Sequence, residues 1–504
     1  MKKNTLIGIL LIIALWYLIS IFTNNPLLIP FPHKVFGEMV KLFRDYTFYL
    51  DLANTFLKII VGFFISIIIG IPIGLITGLN NNIFQIFRPM LMIIQSSPVV
   101  SYIAIAMLWF GIGFYTPVFV AFMVIFPVIV LNISEGVKST DKKLIEMAKV
   151  FNVDNKKIIL KIYFPSLIPF LKSTLNMISG SMWKSVVVGE FLAGDRGLGV
   201  SLSFSKIALN IDRVFAYTIL LAIFGMISEK ILKELSRKNL LRNTLSKKVL
   251  SRKILSMNDL SKNDLSKFEM YDAKEKKDNI IITNLNKKFD NNVILSDFNI
   301  IFENSKINIL LGESGIGKTT ILNILSNIVE KDSGEVYIQG KIGYIFQDDR
   351  LIPWLNIIEN IRLINENISI MEIENYLKML NLEKEVLYMF PYELSGGMKK
   401  RINILRAIAY KPDIILMDEA FSSLDISNKY KIMNELLKIQ NNEKFTIIMV
   451  THDPFEVSIL GENIFILDGK PLKIKQKLSF KNSFERDMKE NHDILYNINK
   501  ILLE

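Results

Sequence analysis

The chain divides into two parts that differ in how their apolar residues are spaced. Up to about residue 232, apolar residues form long uninterrupted runs, and a helix of that length crosses a hydrocarbon layer of about 30 Å. From residue 280 onward, short apolar runs alternate with amphipathic segments, which is typical of strands alternating with helices. The stretch between the two parts is polar and basic. The pattern predicts a membrane domain at 1–235, a linker at 236–279 and an α/β domain at 280–504.

Six apolar runs are the predicted spans of an all-α, polytopic membrane domain. They are residues 6–22, 59–79, 89–110, 116–133, 175–192 and 214–232. The first run follows two lysines, as in a signal peptide, but no small-residue cleavage site follows it, so we expect an anchor that stays. The fifth run contains Lys184 and Glu190. Glu190 is either an intramembrane carboxylate on a solute pathway or a helix-end residue at headgroup level.

The distribution of basic residues predicts the orientation of these spans. The loop at 135–172 carries eight lysines, and such loops remain on the cytoplasmic side. Four spans precede this loop and two follow it, so both the N-terminus and the region beyond residue 232 are predicted to be cytoplasmic. Lys34, Lys41, Arg44 and Lys58 in the first external loop oppose this orientation. We interpret residues 36–56 as an amphipathic interfacial helix. We keep the predicted orientation because an even number of spans lies on each side of the cytoplasmic loop.

Composition narrows the class of protein further. The 504 residues include no Cys, which excludes disulfides and thiolate metal sites, and the three His are far apart in sequence. The formal charge of +11 fits either nucleic acid or an anionic membrane leaflet as a partner. The basic residues cluster between and after the apolar runs, so we expect a lipid bilayer and no nucleic acid as the partner.

A nine-residue stretch has the spacing of a phosphate-binding P-loop. It reads Gly312-Glu313-Ser314-Gly315-Ile316-Gly317-Lys318-Thr319-Thr320. A buried-strand pattern precedes it and a helix pattern follows, which is the context this motif requires. The glycines let successive N–H groups point at a phosphate chain, and the helix start adds positive charge. Lys318 is then predicted to reach the β- and γ-phosphates, and the hydroxyl of Thr319 to bind Mg²⁺.

A second apolar strand pattern, residues 414–417, ends in two acids, Asp418 and Glu419. Carboxylates are costly to bury without compensation, so a purely structural explanation of this pair is weak. We predict that Asp418 holds Mg²⁺ and that Glu419 is the general base that polarises the attacking water.

In this order, the motifs of the second part resemble those of an α/β P-loop ABC ATPase. The resemblance implies that Phe289 stacks on adenine and that Gln347 contacts Mg²⁺ and the attacking water. It implies that Ser395, Gly396 and Gly397 form the signature that binds a γ-phosphate. It also implies that Asp425 lies in the D-loop and that His452 contacts the γ-phosphate. Lys400 stands where the family often has Gln, and Ala420 stands where it usually has Pro.

The lysine-rich loop resembles the EAA coupling loop of ABC importer permeases. The matching residues are Glu146, Ala148, Asn152 and Pro165. The family has Gly at the position of Asn152, and Asn tolerates a left-handed backbone nearly as well. Ser96-Ser97-Pro98 and the stretches at 108–113, 189–192 and 197–199 further resemble permeases of the nitrate/sulfonate/taurine type. The resemblance implies that this loop forms two short helices that dock on the ATPase.

The linker has leucine at every fifth position from Leu235 to Leu265, usually followed by serine. A period of five matches neither a helix nor a strand face. It superficially resembles a pentapeptide-repeat β-helix, but large polar residues stand where that fold needs small ones. We therefore predict a basic, low-complexity tether.

Taken together, the resemblances imply a permease and an ATPase fused in one chain of an importer. They further imply a homodimer through both domains, ATP and Mg²⁺ as ligands, and a separate extracytoplasmic solute-binding protein. The expected location is the cytoplasmic (inner) membrane, with the ATPase in the cytoplasm. Two alternatives remain open: an exporter half-transporter, and a membrane-tethered ATP-dependent switch that moves no solute. The solute itself, whether nitrate, a sulfonate, taurine or a vitamin precursor, is not determined by the sequence.

Overall fold

A computed structural model describes residues 3–237, 279–422 and 424–503. The predicted linker and its leucine repeat therefore fall almost wholly outside the described residues. The chain separates into two compact units. The first comprises Met1–Thr140 and Ser166–Lys267, and the second comprises Asp141–Pro165 and Phe268–Glu504. The lysine-rich loop is thus divided, and its central segment belongs to the same unit as the P-loop.

The described part of the first unit is helical, as predicted. Its helices are α1 (Lys3–Thr23), α2 (Pro32–Arg44), α3 (Tyr46–Leu79), α4 (Asn81–Ser96), α5 (Val99–Phe110), α6 (Tyr115–Lys138), α9 (Phe164–Ala193, whose first two residues group with the second unit), α10 (Leu198–Ile207) and α11 (Ile211–Arg237). Among the described residues, four helical stretches are long and apolar enough to cross a membrane: Tyr46–Leu79, Tyr115–Lys138, Asn155–Ala193 and Ile211–Ile231. They contain the second, fourth, fifth and sixth predicted spans. The first predicted span lies in α1, whose stretch Leu10–Thr23 is apolar but shorter.

Residues 89–110, the third predicted span, do not form one straight helix. α4 and α5 meet at an angle of 97°. Ser97, between them, is extended (φ −71°, ψ 138°) because Pro98 disfavours helical backbone in the residue before it. Pro98 also lacks an N–H group and cannot continue the helical hydrogen bonds. Together the two helices are long and apolar enough for one bent span, and the bend itself was not predicted because hydropathy alone does not register a break in the backbone.

The interfacial helix predicted at residues 36–56 was also wrong as a single element. α2 ends at Arg44 and α3 begins at Tyr46, because Asp45 is extended and its carboxylate accepts a hydrogen bond from the Thr47 N–H at 2.9 Å. Lys58 is not a loop residue either, since it lies in α3 with its side chain fully buried. One of the four basic residues that opposed the predicted orientation is therefore removed from that loop.

α3 packs closely along α6. A Cβ atom at Gly74 would lie only 2.7 Å from Cβ of Ile133, so this approach requires glycine. Small residues allow helices to come close enough for van der Waals packing to hold them together in a membrane, where the hydrophobic effect does not.

The second unit contains two β-sheets flanked by helices, as predicted for an α/β P-loop fold. The strands are β1 (Ile280–Phe289), β2 (Asn292–Phe302), β3 (Ile307–Leu311), β4 (Ser333–Tyr337), β5 (Ile342–Ile345), β6 (Ile414–Asp418), β7 (Thr446–Thr451), β8 (Asn463–Asp468) and β9 (Lys473–Ser479). The smaller sheet is antiparallel with strand order β2-β1-β4. The larger has order β5-β6-β7-β3-β8-β9, and only its edge strand β9 is antiparallel.

Nine α-helices are described in the second unit, and several of them pack on the parallel sheet. The nine are α7 (Lys142–Val150), α8 (Asn155–Ile158), α12 (Lys318–Leu325), α13 (Ile357–Ile364), α14 (Ile370–Met379), α15 (Gly396–Ala409), α16 (Ile426–Glu443), α17 (Pro454–Leu460) and α18 (Met488–Leu503). Every residue of β3, β6 and β7 is buried, as expected for central parallel strands covered on both faces.

Candidate functional site

The sheet register brings three of the predicted motifs to one edge. Leu311, at the end of β3, pairs with Thr451, at the end of β7, and Asp418, at the end of β6, pairs with Val450. The P-loop, the two acids and His452 follow these three strand ends directly. The carboxyl edge of a parallel sheet is where α/β proteins bind their ligands.

The P-loop has the backbone that its glycines predict. Gly315 and Gly317 have φ values of 80° and 112°, in the region that favours glycine. Lys318 begins α12, and its ammonium group donates to the carbonyl oxygens of Gly312 at 2.8 Å and Glu313 at 2.5 Å. Its buried side chain folds back over the loop, and burial lowers the pKa of Lys318 while the carboxylates of Glu419 and Asp418 oppose that shift.

The remaining P-loop residues close the turn. Ile316 is buried, whereas Glu313 and Ser314 are exposed at the tip. The Thr320 N–H donates to the Gly317 oxygen at 3.1 Å, which completes the first turn of α12. The positive φ values of the glycines and the helix start directly after them are the backbone features by which such loops direct N–H groups at a phosphate chain.

Thr319 and Asp418 lie together at this loop. The Thr319 hydroxyl donates to Oδ1 of Asp418 at 2.9 Å. Burial raises the pKa of Asp418 above its ordinary value, and the Thr319 hydrogen bond opposes that shift. A hydroxyl and a carboxylate oxygen are hard ligands of the kind that Mg²⁺ binds alongside phosphate oxygens. No cluster of three His, Cys, Asp or Glu side chains suited to a metal occurs among the described residues, so a Mg²⁺ ion would rely on this mixed pair.

Glu419 is held between two polar side chains. Nε2 of Gln347 donates to Oε2 of Glu419 at 3.1 Å, and Nδ1 of His452 lies 3.1 Å from Oε1. The φ value of Glu419 is 42°, which is uncommon for a residue with a Cβ atom and marks functional sites more often than other positions. Both the N–H and the hydroxyl of Ser422 donate to the Glu419 carbonyl, at 3.0 and 2.8 Å, so the turn is closed with Ala420 in place of proline.

Among the described residues, the signature and Asp425 take no part in the hydrogen bonds of this cluster. Ser395 caps α15, where its hydroxyl accepts from the Met398 N–H at 3.3 Å, and Gly396 and Gly397 form the first turn. Asp425 caps α16 by accepting from the Asn428 N–H at 3.1 Å. Within the described part of the chain, neither Ser395 nor Asp425 forms a hydrogen bond with a P-loop residue.

Phe289, at the end of β1, presents a half-exposed ring at the surface. The side chain is 44% exposed, and Nζ of Lys287 lies 5.2 Å from the ring centroid. An exposed aromatic face beside a cation suits stacking of a nucleobase.

Three buried side chains of α15 hold the segment around Gln347, and the sequence did not reveal this. Nζ of Lys400 donates to the Gln347 carbonyl, Nδ2 of Asn403 donates to Oδ1 of Asp349 at 2.8 Å, and Nη1 of Arg406 donates to the Arg350 carbonyl at 2.8 Å. Their spacing of three residues places them on one face of the helix. The only signal in the sequence was the unusual lysine at position 400.

The segment 141–165 packs on the opposite side of residues 348–350. Oε2 of Glu146 accepts from Nη1 of Arg350 at 3.0 Å, and Lys143 pairs with Asp348. Ala148 is fully buried in the core of the second unit. Glu146 and Ala148, two of the four predicted coupling residues, therefore contact the ATPase fold directly.

Asn152 and Pro165, the other two predicted coupling residues, lie in the turn after α7 and at the start of α9. Asn152 has φ 51°, which confirms that it adopts the left-handed backbone, and its amide donates to the Tyr410 hydroxyl at 3.2 Å. A single π-helical turn, Ile159–Tyr163, follows α8, and Nε1 of Trp354 donates to the Lys161 carbonyl at 2.8 Å. Pro165 is the second residue of α9, directly after this π-helical turn, and π-helical turns occur where a helix departs from regular hydrogen bonding.

Glu190, in the first unit, forms a buried ion pair. Nζ of Lys58 lies 3.1 Å from Oε1 of Glu190, and both side chains are fully buried. The Thr55 hydroxyl and the Gly199 N–H also donate to this carboxylate, at 2.9 and 3.0 Å. The neighbouring groups satisfy this carboxylate, so its contacts support a structural role that ties α3 to the end of α9.

Comparison with known proteins agrees with this geometry. Residues 295–422 match the family described as ABC transporter, and residues 70–239 match the family described as binding-protein-dependent transport system inner membrane component. An uncharacterised ABC transporter ATP-binding protein of Methanocaldococcus jannaschii is 35% identical over 215 residues, which cover 39% of this chain and 79% of that protein. The aliphatic sulfonates import ATP-binding protein of Zymomonas mobilis is 32% identical, with 40% of this chain and 88% of that protein covered.

Another relative is longer than the region it shares with this chain. The spermidine/putrescine import ATP-binding protein of Pasteurella multocida is 32% identical over 41% of this chain, and the match spans 62% of that protein's own length. The three relatives, all ATP-binding proteins, cover between 39% and 41% of this chain, whereas residues 70–239 match the inner membrane component.

Proposed function

The chain belongs to the ABC transporter family, and from this premise we propose that two copies form an ATP-driven importer of a small solute, of the nitrate/sulfonate/taurine type. Its C-terminal part is an ABC-type ATPase domain and its N-terminal part is a helical membrane permease domain. The chain is therefore an ATP hydrolase linked to a transport component.

The docking of segment 141–165 on the ATPase fold is the observation that carries the proposal of import. Glu146 pairs with Arg350, three residues after Gln347, whose amide holds Glu419. A change in the ATP site therefore has a short route, through residues 347–350, to a segment that continues into α9 of the permease. Exporter half-transporters would instead carry long cytoplasmic extensions of their membrane helices.

The side chains of the ATP site support hydrolysis by in-line attack of water. The P-loop N–H groups and Lys318 bind the phosphates, and Thr319 and Asp418 would hold Mg²⁺, which would supply neutralisation of charge on the phosphate oxygens. Glu419 accepts a proton from the attacking water, while Gln347 and His452 keep its carboxylate in place. Phe289 stacks on the adenine.

The separation of the signature from the P-loop supports a site shared between two copies. In this arrangement Ser395, Gly396 and Gly397 of one copy face Lys318 and Thr319 of the other, with Asp425 near the same boundary. A homodimer then contains two equivalent sites, as a two-fold axis requires. Closure of the two ATPase domains around ATP switches the permease between inward-open and outward-open states, and hydrolysis resets it.

The permease lies in the cytoplasmic (inner) membrane with the ATPase in the cytoplasm, and the four helical stretches long and apolar enough to cross a membrane support this location. A separate extracytoplasmic solute-binding protein delivers the solute, which the match to a binding-protein-dependent family supports.

Uptake into proteoliposomes tests the proposal. Vesicles loaded with ATP and carrying the purified chain are mixed with the solute-binding protein encoded beside its gene and with radiolabelled nitrate, taurine, an alkanesulfonate or a pyrimidine. Import predicts accumulation of one solute inside, dependent on both internal ATP and the binding protein. Loss of preloaded solute with external ATP would indicate an exporter, and ATP hydrolysis with no solute movement under either condition would indicate a switch.

A further inference from the structure

The first unit contains a cavity of about 260 Å³ at the junction of α4 and α5. We call it the junction cavity. Gln95 and Ser97 line it at the junction, Tyr102 lines it from α5, and α6 and α9 form the opposite walls. Its volume is a little below the roughly 300–1,000 Å³ that is typical of sites for drug-sized ligands, so it suits a smaller solute.

The break between α4 and α5 explains why a cavity forms here. α4 has 16 residues and α5 has 12, so at 1.5 Å per residue they are about 24 Å and about 18 Å long. Neither crosses a hydrocarbon layer of about 30 Å alone. Non-helical backbone at membrane depth is stable only where protein buries it or where it lines a hydrated cavity.

Local hydrogen bonds hold this break in place. The Ser97 hydroxyl donates to the Ile93 carbonyl at 2.8 Å, and the Tyr102 hydroxyl donates across the bend to the Ile94 carbonyl. The Ile93 carbonyl also accepts from the Ser97 N–H at 3.1 Å, and the Ile94 carbonyl, which Pro98 cannot pair because it has no N–H, gains a partner in Tyr102. The bend is therefore a defined feature of the fold, and the cavity beside it has fixed walls.

The opposite walls are largely apolar but include one free hydroxyl. α6 contributes Val124 and Val128, one helical turn apart, and α9 contributes Met177 and Ser181 with the same spacing. In the described part of the chain, neither the Ser181 hydroxyl nor the Gln95 side-chain amide has a hydrogen-bond partner. Both are available to a molecule in the cavity.

The lining contains no charged side chain. Asp, Glu, Lys, Arg and His are all absent from the residues around the junction cavity, each of which lies within the described part of the chain. An ion in this place would lose its hydration without a counter-charge, which costs several kcal/mol. An uncharged molecule with hydrogen-bonding groups on one side and an apolar face on the other meets no such cost.

We propose that the junction cavity holds the transported solute and that this solute is a small uncharged molecule with both hydrogen-bonding groups and an apolar face. The proposal rests on the proposed transport function and adds to it the place and the chemical class of the solute. Of the solutes named for the uptake test, it favours the uncharged pyrimidine over the anions nitrate and alkanesulfonate and over the zwitterion taurine. Gln95, Ser97 and Ser181 are the residues that donate to or accept from it, and Val124, Val128 and Met177 contact its apolar face.

Thiol labelling tests this directly, because the natural chain contains no Cys and one introduced cysteine reports one position. Gln95→Cys and Ser181→Cys place a thiol in the cavity from two different helices. Leu91→Cys and Met182→Cys are the matched controls on the same two helices, since both native side chains are buried and neither lines the cavity. The full-length variants in proteoliposomes are treated with three methanethiosulfonate reagents: neutral hydroxyethyl, cationic trimethylammonioethyl and anionic sulfonatoethyl.

Each rate is divided by the rate of the same reagent with free 2-mercaptoethanol. We expect the neutral reagent to modify both cavity thiols at least about tenfold faster than either charged reagent, because a charge in the cavity costs several kcal/mol. We also expect it to modify them at least about tenfold faster than the two control thiols, which are packed in a core without voids that admit a reagent. Two cavity positions are used so that one misfolded variant does not decide the result.

Three results would overturn the proposal: equal rates for charged and neutral reagents, no modification of either cavity thiol, or equal modification of cavity and control thiols. ATP hydrolysis by the cysteine-free parent is measured in the same preparation. Absence of ATP hydrolysis in the parent would contradict the proposed function, whereas the labelling pattern bears on the cavity alone.

Discussion

Oε2 of Glu146 lies 3.0 Å from Nη1 of Arg350, although the two residues are 204 positions apart in the chain. The same arginine lies 3.8 Å above the ring of Phe346, which fixes the plane of its guanidinium group. Glu146 therefore contacts a segment that is held from the other side by α15, and this segment carries Gln347 into the ATP site.

Reversal of one charge in this pair should weaken docking. Glu146→Arg places two guanidinium groups together, and we expect at least about a fivefold loss of ATP-driven uptake, corresponding to about 1 kcal/mol for a partly exposed pair. The double variant Glu146→Arg with Arg350→Glu restores opposite charges and should recover part of the loss. Asp154→Arg is the matched control, because Asp154 lies in the same segment and its side chain caps no N–H group. Equal losses in the single and double variants would contradict a direct pairing.

Glu419→Gln should abolish turnover without abolishing ATP binding. The amide keeps the shape of the side chain but cannot accept a proton from water, and single groups of this kind contribute roughly 10³-fold or more to phosphoryl transfer. Single-turnover ATP hydrolysis and equilibrium binding of a fluorescent ATP analogue measure the two effects separately. Hydrolysis at the normal rate would refute the assignment of Glu419 as general base.

Lys400→Gln should lower kcat for ATP hydrolysis while leaving KM for ATP nearly unchanged. Lys400 contacts the Gln347 carbonyl rather than the phosphate site, so its loss frees the Gln347 segment, and a charge-assisted hydrogen bond contributes about 1.5–3 kcal/mol. We expect a fall in kcat of about tenfold or more, with partial rescue by Lys400→Arg. Lys399→Gln is the matched control on the same turn of α15. A larger change in KM than in kcat would contradict a positioning role.

The pH dependence of Mg²⁺ binding should reflect the raised pKa of Asp418. Burial favours its neutral form, so as pH falls it takes up a proton at a higher pH than an ordinary Asp, with its usual pKa of about 3.9. In the unliganded protein, stability from this group is therefore present at low pH and lost as pH rises through the folded pKa. Mg²⁺ requires the carboxylate, so the Mg²⁺ concentration for half-maximal ATP hydrolysis should rise as pH falls towards that pKa. A constant Mg²⁺ requirement from pH about 8 to about 5 would contradict this.

The backbone at position 152 can be tested by substitution. Asn152 has φ 51°, so Asn152→Ala should destabilise the second unit by about 1–2 kcal/mol, whereas glycine has no such penalty. Asn152→Gly loses only the hydrogen bond to the Tyr410 hydroxyl. Thermal unfolding of both variants measures the difference, and an alanine variant at least as stable as the glycine variant would be inconsistent with the left-handed backbone.

Local sequence was sufficient to predict the structure where the backbone preferences of single residues determine the conformation of a motif. The glycines around Lys318 predict the loop, and Asn152 in place of glycine predicts a left-handed turn, because both depend on backbone preferences of single residues. Asp418 and Glu419 were predictable from an apolar strand ending in acids, since such a strand needs a reason for buried charge.

Contacts between distant segments were not predictable in the same way. The sequence predicts Lys58 as a basic residue of an external loop. In the structure Lys58 pairs with Glu190, which is 132 residues away in the chain, and no local pattern indicates that contact. Nothing in the sequence indicated that Lys400 and Asn403 hold the segment at Gln347, because a helix pattern gives the face of a residue but not its partner. The 97° break had a local signal in Ser97-Pro98, but hydropathy over a window averages it away.

The central claim is that the docked segment links ATP hydrolysis to delivery of solute from outside. The most direct measurement is ATP hydrolysis in proteoliposomes, with and without solute-loaded binding protein on the face opposite the ATPase, for the natural chain and for Glu146→Arg. We predict that the binding protein stimulates hydrolysis by the natural chain, and that Glu146→Arg keeps basal hydrolysis but loses most of the stimulation. Equal stimulation of both proteins, or no stimulation of the natural chain, would contradict the account.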